Sequence, residues 1–111
     1  MNDRVKFQTK DPTDFVVQKL TFSAGGRSGW HHHSGLVIFT VQTGSVTVSN
    51  TSCGTKTYGP GLPNGAVFVE HHDDPMEVSS AGGAVANVTI ILPRGAPLRA
   101  EDQVPFCAMR F

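Results

Sequence analysis

All five histidines of the chain fall in two short clusters, Trp30-His31-His32-His33 and Glu70-His71-His72-Asp73-Asp74. Neutral imidazole is the commonest protein ligand for transition metals. On a β-strand, successive side chains face opposite sides, so His31 and His33 would share one face and His32 the other. Two imidazoles so spaced on an inward face can hold one ion from the same side. A His-x-His pair alone is a weak signal, because a metal-free pair at a barrel mouth or on the surface is spelled the same way. The second cluster opens a stretch, Glu70 to Glu77, that is dense in carboxylates. Such a run is more often a solvated loop than a site. Nearby negative charge also favours imidazolium, which opposes metal capture at mildly acidic pH.

Positioning these side chains requires strands, and the chain spells short ones. Phe15-Val16-Val17, Leu36 to Val41, Val46-Thr47-Val48, Val67-Phe68-Val69 and Val88 to Leu92 are β-branched or aromatic. Twelve glycines and seven prolines punctuate them at short intervals. Short strands bounded by turn signals predict an all-β sandwich or barrel, and no stretch shows helical periodicity. Gly44-Ser45 and Ala81-Gly82-Gly83 read as hairpin turns. Gly59 to Gly65 reads as a surface loop, and the polar tail after Pro93 as a wrap around the outside. The 111 residues predict one domain spanning 1–111. Nine basic residues balance nine acidic ones, so the basic excess of a nucleic-acid binder is missing. No apolar run approaches the ~18 residues that span a bilayer. The polar start Met1-Asn2-Asp3-Arg4 has no apolar segment of a secretory signal. The expected partner is a small molecule, with neither nucleic acid nor membrane.

Around the first histidine cluster the sequence resembles the first motif of the cupin superfamily, about residues 25–44. The turn glycine, Gly44, follows His33 by eleven residues, as in that family. The stretch Gly29-Trp30-His31-His32-His33-Ser34-Gly35-Leu36-Val37 looks like a subgroup of small bacterial cupins with a tryptophan before the first histidine. The family's glutamate position, seven residues before the turn glycine, is Val37 here. The second motif, about 65–80, begins with Gly65 and then departs. His71, Asp73, Met76 and Ser80 stand where the family has proline, glycine, histidine and asparagine. The resemblance implies a single-domain, cupin-like antiparallel β-barrel of the jelly-roll type. It implies a metal site that retains only part of its ligand set.

Three readings of the pocket follow. In the first, His31 and His33 bind one divalent transition metal ion (Fe, Cu, Zn, Ni or Mn) with a third ligand of non-standard origin. His72 is the preferred candidate, ahead of His71, Asp73 and Glu70. The ion would act as a Lewis acid or bind dioxygen. Met76 as a third donor would suit copper(I), since thioethers select soft ions. In the second reading His31 and His33 work without metal as acid, base or hydrogen-bond donors. In the third, the barrel is a metal-free binding or structural module. Phe39 and Val41 share the inward parity of the histidines and, with Val37 and Met76, would line a substrate pocket. Trp30 would face away from His31, and Tyr58 would sit at the rim. An apolar lining favours an apolar or aromatic substrate over a sugar phosphate, which would call for inward arginine or lysine. Cupins of this size include dioxygenases, isomerases and polyketide cyclases. The resemblance also implies a homodimer through Lys6 to Phe22, and cysteines placed like Cys53 and Cys107. If those two form a disulfide the protein belongs outside the reducing cytosol; if they are free thiols, a cytoplasmic location follows.

Overall fold

The computed structural model describes residues 11–70 and 74–109. Ten strands follow in order: β1 (Thr13–Phe22), β2 (Gly26–Arg27), β3 (His31–His32), β4 (Leu36–Gly44), β5 (Val46–Ser49), β6 (Thr55–Tyr58), β7 (Val67–Glu70), β8 (Glu77–Ser80), β9 (Ala84–Pro93) and β10 (Ala100–Glu101). A single 3-10 turn, Phe106–Ala108, closes the order. One four-stranded sheet runs β1-β9-β4-β7 and the other β2-β8-β5-β6, and all pairings are antiparallel. A third, two-stranded piece pairs β3 with β10. The architecture is an all-β, cupin-like jelly roll, in which a double sheet limits exposed edges.

The core follows from alternation. Along β9, Ala84, Ala86, Val88, Ile90 and Leu92 are buried, while the residues between them are half-covered. On β4, Val37, Phe39 and Val41 point the same way, and on β7 Phe68 and Glu70 do. Val46 and Val78 close the core from the opposite sheet. Phe68 lies between the rings of Phe39 and Tyr58, with centroid separations of 4.6 and 4.7 Å. Tyr58 thus packs on the core. The outer face of the first sheet is apolar in places, with Val17, Val67 and Val69 exposed. The first residues of the expected dimer segment, Lys6 to Lys10, lie outside the described residues.

Two expected hairpins are corners instead. β4 and β5 belong to different sheets, as do β8 and β9, so Gly44-Ser45 and Ala81-Gly82-Gly83 carry the chain across the sandwich. The local requirement is the same as in a hairpin, a residue able to turn sharply, so the sequence signal is the same. Gly44 has φ +76, and a Cβ there would sit 2.2 Å from the Gly83 carbonyl oxygen. The buried Ser80 hydroxyl donates to the Ser45 carbonyl at 2.7 Å and clamps the corner. Gly59 to Gly65 is the expected loop, closed by the Gly59 N–H donating to the Gly65 carbonyl at 2.9 Å.

The tail after Pro93 returns across one end of the sandwich. Ala100 pairs with His32 and Glu101 with His31, while the Asp102 N–H donates to the Trp30 carbonyl. Beyond it, Cys107 is disulfide-bonded to Cys53, in the β5–β6 turn, with a Cα separation of 6.2 Å. The tail lies outside the two four-stranded sheets, and through its pairing with β3 it brings Leu98 and Arg99 into the lining of the site.

Candidate metal centre

β3 is only two residues long, yet it is held on both sides. β10 pairs with one edge. On the other, His31 and Met76 exchange backbone hydrogen bonds of 3.0 and 2.9 Å. Strand alternation then fixes the directions the sequence implied. His31 turns inward, with 5% of its surface exposed, and His32 turns away. The His32 Nδ1–H donates to the Asp102 carboxylate at 2.8 and 3.0 Å, which fastens the tail rather than the site. Trp30 is buried.

His31 and His33 approach edge to face, with ring centroids 4.9 Å apart. The third group beside them is Glu70. Ligand atoms of His31, His33 and Glu70 lie within 4.8 Å of one another. The reason is register. Val37 occupies the position where cupins carry a glutamate, and Val37 pairs directly across from Glu70. The inward carboxylate here stands on β7, at the residue facing Val37. Parity in Val67-Phe68-Val69-Glu70 puts Glu70 on the buried side with Phe68. That parity was the available signal, but the pairing of 37 with 70 is not written locally. His72, the preferred third ligand, and His71 and Asp73 lie outside the described residues.

Hydrogen bonds set the imidazole tautomers. His31 Nδ1 lies 2.8 Å from the Gly29 carbonyl oxygen, and His33 Nδ1 contacts the Leu98 carbonyl oxygen. A carbonyl only accepts, so each Nδ1 carries the proton and each Nε2 keeps its lone pair. Backbone contacts of this kind orient metal-binding histidines. His33 Nε2 lies 3.5 Å from Glu70 Oε2. That oxygen is buried and has no hydrogen-bond partner among the described residues. Burial pushes the Glu70 carboxyl up to about 7. Burial holds both histidines below the ordinary value, partly offset by their carbonyl hydrogen bonds, and the Arg99 charge lowers them further. Neutral imidazoles are the donor form that a cation requires, whereas the Glu70 carboxyl, whose proton burial retains, would release it on binding one. The residues present fit a divalent transition ion.

The trio opens into a cavity of about 230 Å³. Leu20, Phe22, Val37, Phe39, Val88 and Ile90 form much of its wall. Of the expected pocket residues, Val37 and Phe39 line it. Val41 is buried in the core, and Met76 packs against the core; neither lines the cavity. Gln18, Ser28 and Arg99 supply the other polar lining. Arg99 comes from the tail, where the sequence offered no sign of an inward cation.

Solved structures resemble this fold over 77% to 96% of the chain. A conserved protein with a double-stranded β-helix domain from Klebsiella pneumoniae aligns with a TM-score of 0.64 at 15% identity, covering 89% of this chain and 86% of that one. The polyketide cyclase RemF from Streptomyces resistomycificus aligns at 0.59 and 19% identity, covering 96% and 91%. A cupin domain from Bordetella pertussis aligns at 0.51 and 21% identity, covering 77% and 98%. The chain has the cupin fold. No protein-family profile and no curated protein matches the sequence. Identities this low speak for the cupin fold and not for a shared activity.

Proposed function

We propose that this cupin is a metal-dependent enzyme acting on a small, largely apolar or aromatic molecule, with His31, His33 and Glu70 as its protein ligands. The observation that carries this reading is Glu70 Oε2, a buried carboxylate oxygen without a partner beside two histidines whose free ring nitrogens are set by backbone carbonyls. A buried carboxylate left unpaired is costly, and a bound cation removes that cost. Two imidazoles and one carboxylate form a donor set used by iron(II) and zinc(II) sites. It contains no thioether, which argues against the copper(I) option through Met76.

When bound, the ion would supply Lewis acidity at a substrate oxygen, and three protein ligands leave positions open for that role. The chain's own residues do the rest. The Gly29 and Leu98 carbonyls orient the imidazoles. The hydrocarbon wall excludes water and favours an apolar substrate body. The likeness to a polyketide cyclase keeps cyclisation beside dioxygenation and isomerisation as reaction classes. The disulfide supports a location outside the reducing cytosol. The protein is also proposed to be a homodimer through the segment 6–22, and sedimentation equilibrium showing a monomer contradicts that. The metal reading is tested by elemental analysis of protein purified without a histidine tag or chelator. Near-stoichiometric metal is expected, lost in His31→Ala/His33→Ala; equal metal in that variant, or none after reconstitution, moves the pocket to the metal-free reading.

A further inference from the structure

The cavity has polar lining besides the metal ligands. Ser28 is already committed. Its hydroxyl donates to the Gly29 carbonyl at 2.9 Å and accepts the Val78 N–H at 2.9 Å. Gln18 and Arg99 are not fully used. Gln18 lies on the inward side of β1, between Val16 and Leu20, and its amide has no hydrogen-bond partner among the described residues. Arg99 spends Nε on the Glu101 carboxylate at 2.8 Å. It spends Nη2 on Glu101 at 3.1 Å and on the Ser28 carbonyl at 2.9 Å. Nη1, with two N–H donors, has no partner among the described residues.

We propose that Arg99 recognises an anionic oxygen group on the substrate, a carboxylate or enolate carried by an apolar frame about one ring in size, in a cavity that Gln18 also lines. This rests on the cavity being the substrate site. A cavity of about 230 Å³ admits a frame of that size. The Arg99 side chain is 38% exposed at the rim of this cavity, so its charge acts through the paired geometry of its donors rather than through exclusion of water. A guanidinium offers a planar fork that matches a carboxylate, which a lysine ammonium does not. Glu101 fixes the plane of that fork and offsets part of its charge, leaving one arm for the ligand. Arg99 lines the same cavity as His31 and His33 and precedes the strand that pairs with His31, so a substrate held by Arg99 would lie against the histidines.

Binding of benzoate and benzamide, two probes of like shape and different charge, tests this by calorimetry. The titrations use metal-free protein, where no ion can capture the carboxylate, and are repeated with zinc-loaded protein. Wild-type protein is expected to prefer benzoate by about tenfold, the size of one charge-assisted hydrogen bond. Arg99→Gln should erase that preference and leave benzamide affinity and zinc content unchanged. Arg99→Lys should retain part of the preference, and Glu101→Gln should strengthen benzoate binding. A benzoate preference that survives in Arg99→Gln overturns the proposal, as does equal binding of the two probes by wild-type protein. Should neither probe bind, the substrate-site reading falls with it. A protein that takes up no zinc yet shows the Arg99-dependent preference sinks the metal reading alone.

Discussion

At the scale of single residues, the site divides into what parity reveals and what only packing reveals. His31 and His33 were legible because spacing by two on a strand forces them to one face. Glu70 was among the candidate third ligands but ranked behind His72, because its place depends on the pairing of Val37 with Glu70 across two strands distant in sequence. Arg99 was not legible, since nothing in a polar tail marks which residue turns inward. The buried carboxyl gives a prediction with a definite sign. The folded-state pKa of Glu70 is raised from 4.5 to about 7. Between those values the folded protein holds a proton that the unfolded chain has released. Metal-free protein therefore loses stability through this group as pH rises, by about 3 kcal/mol in all. The histidines slope the other way, since their lowered pKa values cost stability as pH falls below about 6.5. Comparing wild type with Glu70→Gln isolates the carboxyl. In the presence of chelator, urea melts should show the variant more stable at pH 8, with the gap closing toward pH 5. A gap that stays constant with pH contradicts a buried Glu70 carboxyl.

At the scale of elements, strands were readable and their connections were not. The Val, Thr, Ile and Phe runs became β1, β4, β5, β7 and β9 at the positions where alternation puts one face inward. The turns at Gly44 and at Gly82-Gly83 were placed, but their kind was mistaken, because a corner between sheets asks the same of the backbone as a hairpin. The two glycine sites differ in what they require. Gly44 combines a positive φ with a Cβ position 2.2 Å from a carbonyl oxygen, whereas nothing lies within 4 Å of a Cβ at Gly82. Gly44→Ala should cost about 2–3 kcal/mol in chemical denaturation, while Gly82→Ala should stay within about 0.5 kcal/mol of wild type. Equal effects would count against the corner. The tail is the other element whose role emerged from packing. Cys53–Cys107 closes a separation of 54 residues, for which the chain-entropy relation gives about 4 kcal/mol of stabilisation. Mass spectrometry should show a gain of two hydrogens on reduction, and Cys53→Ser/Cys107→Ser should melt at a lower temperature. No mass shift contradicts the bond.

At the scale of the whole molecule, two facing sheets and a returning tail enclose a small cavity. The histidine and glutamate trio, Arg99 and Gln18 all line it, and the rest of the lining is largely hydrocarbon. Position 37 on β4 is valine, and the facing strand carries the carboxylate of Glu70 directly across from it. A barrel that kept two histidines merely by descent would gain nothing from burying an unpaired carboxylate next to them. That juxtaposition is the centre of the account, and metal analysis of wild type, His31→Ala/His33→Ala and Glu70→Gln tests it most directly. Near-stoichiometric iron or zinc is expected in wild type, none in the double histidine variant, and at least a tenfold weaker affinity in Glu70→Gln with the fold intact by circular dichroism. Wild-type protein that binds no metal after reconstitution, or a Glu70→Gln variant that binds it as tightly as wild type, would contradict it.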